Sequence, residues 1–302
     1  MKTKKTHYIS YLILALFGLY MLFPFVSTFF YATSTKWSNT MLPNDFTFKW
    51  FIQLIEDPNF ISAVVRSFTL TFTTLAVVLV VMVPTVFLVY TYFPKVDQFM
   101  KGLVLMPYAI PGVILATGLL RMYSGSVIPM YLVLVGALFI GSLPFMYQGV
   151  RNSLESIQTK KLIEAAEILG ANRFTSFIRI ILPNIRLGLL ITTLLIFSSF
   201  FGEFVLTNLL IGGRYETIRI YMLRRMNENG HLASSVMVAY FILLILISLV
   251  ITYLTSPDRR GRKNSNRKQV PGKRADRISL AEPLKSVSIL KIGVKKEKRQ
   301  RI

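Results

Sequence analysis

Six long apolar runs alternate with polar stretches along the chain, at about residues 8–32, 61–93, 102–123, 128–150, 187–211 and 232–254. Each holds about 20 or more residues with few charges, the length a helix needs to cross the hydrocarbon core of a bilayer. The pattern predicts an all-α membrane protein of six transmembrane helices. The run at 61–93 is longer than the bilayer demands, so it is expected to tilt or to extend beyond the membrane. Lys2, Lys4 and Lys5 precede the first run, yet that run is too long for a signal-peptide core and lacks a small-residue cleavage site. It therefore reads as an uncleaved first span. Ser34–Asn59, with Trp37, Trp50, Pro43 and Asp57-Pro58, reads as a loop whose aromatic rings lie near the interface. PKVDQFMK, Pro94–Lys101, reads as a short basic turn.

The stretch between the fourth and fifth runs, residues 151–186, does not fit a plain membrane hairpin. It is polar and charged, yet it carries strong helix signals. Apolar positions recur at 154, 157, 162, 165–166 and 168–169, which predicts one helix from Leu154 to Leu169 with Lys160, Lys161, Glu164 and Glu167 on its wetter side. Gly170 is placed to stop that helix in a left-handed conformation. Asn172 is available as the N-cap of a second helix with the apolar stripe Phe174, Phe177, Ile178 and Ile181. Pro183 is expected to break that run and to set the entry into the fifth span. The outcome is a helix–glycine–helix bracket with two small residues, Ala165 and Ala166, on one face. Physics alone leaves two uses open: a docking handle for a partner, or an amphipathic hairpin lying on lipid.

Composition and charge sharpen this picture. Charged residues make up 16% of 302, against about a quarter in soluble domains. Cysteine is absent and the two histidines, His7 and His231, lie far apart, so neither a disulfide framework nor a thiolate or His-rich metal centre is expected, and no cofactor is implied. The net charge of +21 is concentrated at the C-terminus, where residues 256–302 hold 16 Lys and Arg against four acids. That tail has scattered Pro and Gly and no apolar periodicity, and is expected to be unstructured or to lie on an anionic membrane surface. Nucleic acid is not an expected partner. Six spans place both termini on one side, together with Lys95, Lys101, Lys160, Lys161, Arg173, Arg179 and Arg186, and the positive-inside rule makes that side cytoplasmic. Arg214, Arg219, Arg224 and Arg225 fall on the opposite side as the main exception, as do Lys36 and Lys49.

The fixed positions Glu164-Ala165-Ala166, Gly170, Ile180 and Leu182-Pro183 match the EAA-x3-G-x9-I-x-L-P signature. In sequence, spacing and placement between the fourth and fifth spans, the chain resembles the inner-membrane permeases of binding-protein-dependent ABC importers of type I. The resemblance covers about residues 8–255, and LMPYAIPGVILATGLLRMYS is similar to the third-span segment of those permeases. It implies a six-span permease domain over residues 1–255 with a coupling loop at 151–186, followed by the basic cytoplasmic tail. It further implies a multi-pass protein of the bacterial inner (plasma) membrane. Implied partners are an ATP-binding cassette dimer, a second permease subunit, identical or not, an extracytoplasmic solute-binding protein and membrane lipid. Glu164 would contact the ATPase and Gly170 would shape the turn. This chain has no G-x4-GK[ST] phosphate loop, so it is expected to be a transport subunit rather than an enzyme, with ATP hydrolysed by its partner.

Within the spans, Glu203 is the ionisable group that stands out, about 24 Å along a helix begun at Leu187. It reads either as a path residue favouring a cation or as a partner of Arg214 or of a neighbouring subunit. Pro107 and Pro111, with Gly112, are expected to leave backbone carbonyls unbonded and to kink the third span, as a gate or as a static bend. Gly202, Ser198 and Ser199 suit close helix packing. The outer arginines, with Glu216 and Glu228, read as a rim for binding-protein docking or as solvated charges. GEFVLTNLLIGGRYETIRIYM and GHLASSVMVAYF are similar to the permeases serving polyamines, ferric iron and aminoethylphosphonate-type solutes. A polyamine suits Glu203 and a phosphonate suits the outer arginines. A secondary transporter or channel would explain the spans without the signature, and a membrane-embedded enzyme would need more polar groups inside the spans.

Overall fold

The computed structural model describes residues 2–37, 43 and 45–255, and the basic tail lies outside the described residues. The described chain is mainly helical: α1 (Lys2–Ala32), α2 (Lys49–Glu56), α3 (Pro58–Tyr92), α4 (Pro94–Leu103), α5 (Gly112–Tyr123), α6 (Met130–Ser156), α7 (Thr159–Ile168), α8 (Arg173–Ser176), α9 (Leu182–Phe201), α10 (Val205–Leu210), α11 (Ile218–Glu228) and α12 (Gly230–Thr255). Five stretches are long and apolar enough to cross a membrane: Ser10–Ala32, Pro58–Tyr92, Met130–Ser156, Arg173–Phe201 and Gly230–Tyr253. A sixth is a bent pair, Pro94–Ala109 with Gly112–Tyr123, turning by 85°.

The centre of the bundle is α3, α6 and α9, whose facing residues Leu70, Val78, Leu134, Met146, Ile185, Ile196 and Phe197 are buried. Glycines set how closely α6 and α9 approach. A Cβ at Gly149 would overlap Thr192, and one at Gly188 would overlap Ser153. The two hydroxyls are satisfied one turn back within their own helices, Ser153 Oγ donating to Gly149 O at 2.7 Å and Thr192 Oγ1 to Gly188 O at 2.9 Å. Small residues therefore carry this contact, as in membrane bundles where lipid offers no hydrophobic drive for association. α1 stays on the periphery against α12 and exposes a continuous apolar face, including Leu12, Leu16 and Phe23.

Several expected elements take another form. Pro94–Lys101 is the body of helix α4 rather than a turn, with Pro94 at its first position, where the missing N–H costs nothing. The third span is not continuous over 102–123. A single 3₁₀ turn, Met106–Ala109, leads to an extended Ile110 and to Pro111, which starts α5 at a right-angled elbow. The helix expected over 154–169 is divided: α6 continues to Ser156, and Gln158, at φ 52°, turns the chain into α7. Thr159 supports this corner by donating to Leu154 O at 2.6 Å.

Pro183 does not break its helix. The turn before it, Phe177–Ile181, widens into a π-turn in which Leu182 N–H bonds Phe177 O, and helix runs from Arg173 to Phe201. The wider turn accommodates a ring that an α-helical turn would reject, and Asn184 Nδ2 donates to Ile180 O at 2.8 Å. The fifth span is itself interrupted, since α9 ends at Phe201 and α10 restarts at Val205.

Candidate functional site

Two regions hold the residues singled out by the sequence. The first is the α7–α8 bracket at one end of the bundle. Gly170 adopts φ +83°, Ala171 N–H bonds Ala166 O at 3.0 Å and Gly170 N–H bonds Glu167 O at 2.9 Å. This pair of bonds closes the last turn of α7 as a left-handed residue after a helix does. Asn172 Oδ1 accepts from Thr175 N–H at 2.7 Å and caps α8. Ala166 and Ile163 face inward, while Glu164, Ala165 and Glu167 face outward. Ile168 and Leu169 are each 86% exposed and Phe174 is 74% exposed, so the corner carries an uncovered apolar tip between carboxylates. The stripe expected on the second helix is split: Ile181 and Phe177 pack inward, and Phe174 and Ile178 remain outside. Phe177 meets Phe87 of α3 with ring centroids 4.6 Å apart, and Arg173 lies 4.6 Å from the ring centre of Tyr92. Ile180 and Leu182 pack at the edge of the core, and Pro183 is exposed. The bracket is thus braced against α3 and is continuous with α9.

The second region joins two helix breaks. A Cβ on Gly112, at the start of α5, would lie 3.8 Å from Val205 Cγ1, at the start of α10. The elbow at Pro111-Gly112 and the interruption at Gly202–Phe204 therefore meet. Between α6, α9 and α10 is a cavity of about 150 Å³ whose lining includes Gly141, Ser142, Phe145, Ser199 and Glu203. Tyr108 in the turn before the elbow meets Phe145 edge-on at 5.8 Å. Glu203 does not pair with Arg214. Its Oε1 accepts from Leu206 N–H at 2.7 Å, and its Oε2 accepts from Thr207 N–H at 2.9 Å and Thr207 Oγ1 at 2.6 Å. The carboxylate caps α10 and still forms part of the cavity wall. The carbonyl that Pro111 would leave unbonded four residues back, Pro107 O, accepts instead from Ile110 N–H at 3.3 Å. Gly202 is confirmed as a point of close packing, since a Cβ there would lie 2.5 Å from Tyr240 Oη. Gly141, Ser142 and Phe145 were not singled out by sequence. They sit in a uniformly apolar span, and only the fold places them opposite Glu203.

The arginines at the far end from α7 are largely committed within the chain. Arg225 donates to Asp57 Oδ2 at 2.6 Å and to Glu228 at 2.6 Å, and Arg224 pairs with buried Glu216 at 3.2 Å. Arg219 lies over Tyr240, 5.5 Å from the ring centre. Arg214 is exposed and lines the mouth between α5 and α10. Burial pushes the Asp57 carboxyl up, but hydrogen bonds from Tyr221 and the Asn59 N–H, with the Arg225 guanidinium, outweigh it and hold the carboxyl below its ordinary range. Burial and the bond to Asp57 push the Tyr221 hydroxyl up to about 12.

A bundle of this kind, with an external helical bracket and interrupted spans, defines a multi-pass membrane transport subunit. Residues 85–261 match the family model described as binding-protein-dependent transport system inner membrane component, and the chain belongs to that family. The spermidine/putrescine transport system permease protein PotB of Escherichia coli (strain K12) is 37% identical over 82 residues, 27% of this chain. The match spans only 29% of that relative's length. PotC of Haemophilus influenzae, a permease of the same named system, is 24% identical over 212 residues, covering 68% of this chain and 82% of that relative. The fold is also that of a chain in the crystal structure of a bacterial ABC transporter involved in import of the acidic polysaccharide alginate. There the TM-score is 0.66 at 17% identity, covering 84% of this chain and 97% of that one.

Proposed function

We propose that the chain is the membrane-spanning half of an ABC importer, carrying a small solute handed over by an extracytoplasmic binding protein while a separate ATPase supplies energy through the α7–α8 bracket. The observation that carries this reading is the bracket itself: an EAA signature on α7, a left-handed Gly170 and an uncovered apolar tip of Ile168, Leu169 and Phe174. Exposed apolar side chains flanked by carboxylates suit a groove on a partner protein better than bulk water. The bracket faces the cytoplasm and both termini lie on that side, which places Lys95, Lys101, Lys160, Lys161 and Arg173 inside as the positive-inside rule requires. A second permease subunit, identical or not, completes the path, and lipid surrounds α1. In each half the path runs beside the apposed breaks, with Glu203, Ser199 and Ser142 as its polar points. Closure of the ATPase dimer moves the bracket and rocks the spans between inward-open and outward-open states, a rigid-body switch.

The names of the PotB and PotC relatives make spermidine the first solute to test, and the negative charge on the cavity wall agrees with a cation. The test is uptake of radiolabelled spermidine into proteoliposomes holding this chain with its partner ATPase and a binding protein. Uptake that requires ATP and is lost in Glu164→Ala, with the protein still inserted, supports the reading. Uptake that proceeds without the ATPase contradicts it and favours a secondary transporter.

A further inference from the structure

Asp97 on α4 is the one acidic residue of the α4–α5 segment, and it is buried, with 6% of its surface exposed. Tyr147 Oη of α6 donates to its Oδ1 at 2.7 Å, and Arg151 Nε of α6 reaches both carboxylate oxygens at 3.2 Å. Lys101 Nζ, one turn along α4, lies 3.4 Å away. Arg151 also lies 5.5 Å from the ring centre of Tyr90 at the end of α3 and donates through Nη1 to Glu155 at 2.8 Å. One carboxylate therefore ties α4 to α6, and the arginine that neutralises it touches α3 and the final turn of α6. Three residues after Glu155 stands Gln158, the left-handed corner that opens α7.

The position of this cluster is more telling than its strength. A buried ion pair is a weak source of stability, because desolvation offsets most of the attraction, yet breaking one by removing a single partner is costly. Such a pair holds two elements in one fixed relation. Here the two elements are the helix that leads into the bracket and the helix that leads into the 85° elbow. Beyond the elbow, Gly112 rests on Val205 beside Glu203. A continuous series of contacts thus runs from α7 through Glu155, Arg151, Asp97 and α4 to the apposed breaks. α5 packs chiefly on α10, which packs in turn on α6, and α4 packs chiefly on α3, so the side chains of Asp97, Tyr147 and Arg151 are what tie α4 to α6.

We propose that Asp97, Tyr147 and Arg151 form a strut that carries displacement of the α7 bracket to the α4–α5 elbow, making them positioning residues for the gate. This rests on the reading of α7 as the ATPase handle. With the strut intact, α4 follows the end of α6 as one body and the elbow angle changes. With Asp97 neutralised, α7 still moves with nucleotide but α4 no longer follows.

The absence of cysteine makes the test direct, since two introduced thiols are the only ones of this chain and the ATPase is used in a cysteine-free form. Spin labels at Lys160→Cys and Met226→Cys report movement of α7 against the far end of the bundle, and labels at Lys95→Cys and Met122→Cys span the elbow. All four positions are exposed. Distances are measured in nanodiscs on the chain assembled with its ATPase, nucleotide-free and with ATP and vanadate. In the parent chain both pairs are expected to shift, the elbow pair by about 3 Å or more. Asp97→Asn is expected to keep the α7 shift and to lose the elbow shift. Tyr147→Phe, which keeps the shape and the ion pair, is expected to reduce the elbow shift and serves if Asp97→Asn fails to assemble. An undiminished elbow shift in either assembled variant overturns the strut while leaving the handle intact. A parent chain in which the α7 pair does not respond to nucleotide overturns the handle, and the strut with it.

Discussion

At Glu203 both carboxylate oxygens accept hydrogen bonds from the first turn of α10, so the residue holds the interrupted span together before any solute arrives. Glu203→Gln removes the charge and weakens the cap, which is expected to cost about 1 kcal/mol and to lower Tm by a few degrees in detergent. If the carboxylate also draws a cation, the same variant raises KM for spermidine by more than its Tm loss explains; an unchanged KM assigns Glu203 to the cap alone. Asp57 gives a pH signature at the other end. Its carboxyl titrates below the ordinary value of 3.8, so the folded state binds the proton less well than the unfolded chain does. The stability it contributes is present above that value and is lost as pH falls through the lower, folded value. Thermal melts from pH 7 to pH 3 are expected to show a steeper acid loss in the parent than in Asp57→Asn. Equal acid profiles would contradict the network with Tyr221 and Arg225.

Among the elements, the bracket was legible because its punctuation is local. A glycine in a left-handed conformation and an Asn N-cap act within four residues, and both were found where spacing placed them. Gly170→Val forces a branched side chain into a left-handed conformation at about 1–2 kcal/mol, and is expected to loosen the corner and reduce ATP-driven uptake more than insertion. The bend at Pro111-Gly112 was legible from its prolines, but the other interruptions were not, because their causes are distant. Gln158 is a left-handed residue without the glycine that usually marks one, and α10 restarts at Val205 under a cap from Glu203, which in sequence reads as a path charge or an ion-pair partner. Pro183 misleads because a π-turn before it takes up the ring, and PKVDQFMK misleads because only Tyr147 and Arg151 show why a charged, mostly exposed octapeptide buries Asp97 and forms a helix. The α6–α9 contact was equally hidden. Gly149→Leu is expected to cost about 1–3 kcal/mol by driving α6 away from Thr192, seen as a lower Tm in detergent and reduced recovery of folded protein. Gly136→Leu, with open space beside it, is expected to be mild by the same measures.

For the whole molecule, the apolar runs fixed the bundle class because the bilayer demands length and apolarity whatever the tertiary contacts. The proposed path is a smaller-scale matter, resting on a few polar atoms at two helix breaks that hydropathy does not register. The central claim is that the α7–α8 bracket is gripped by a partner ATPase. The most direct measurement is quantitative co-purification of the partner ATPase with the parent chain and with Leu169→Glu, a change at an 86% exposed side chain that leaves the bundle core untouched. The account predicts stoichiometric recovery with the parent and at least about tenfold weaker binding with Leu169→Glu, about 1.4 kcal/mol or more. Equal recovery of the ATPase with both chains would contradict it.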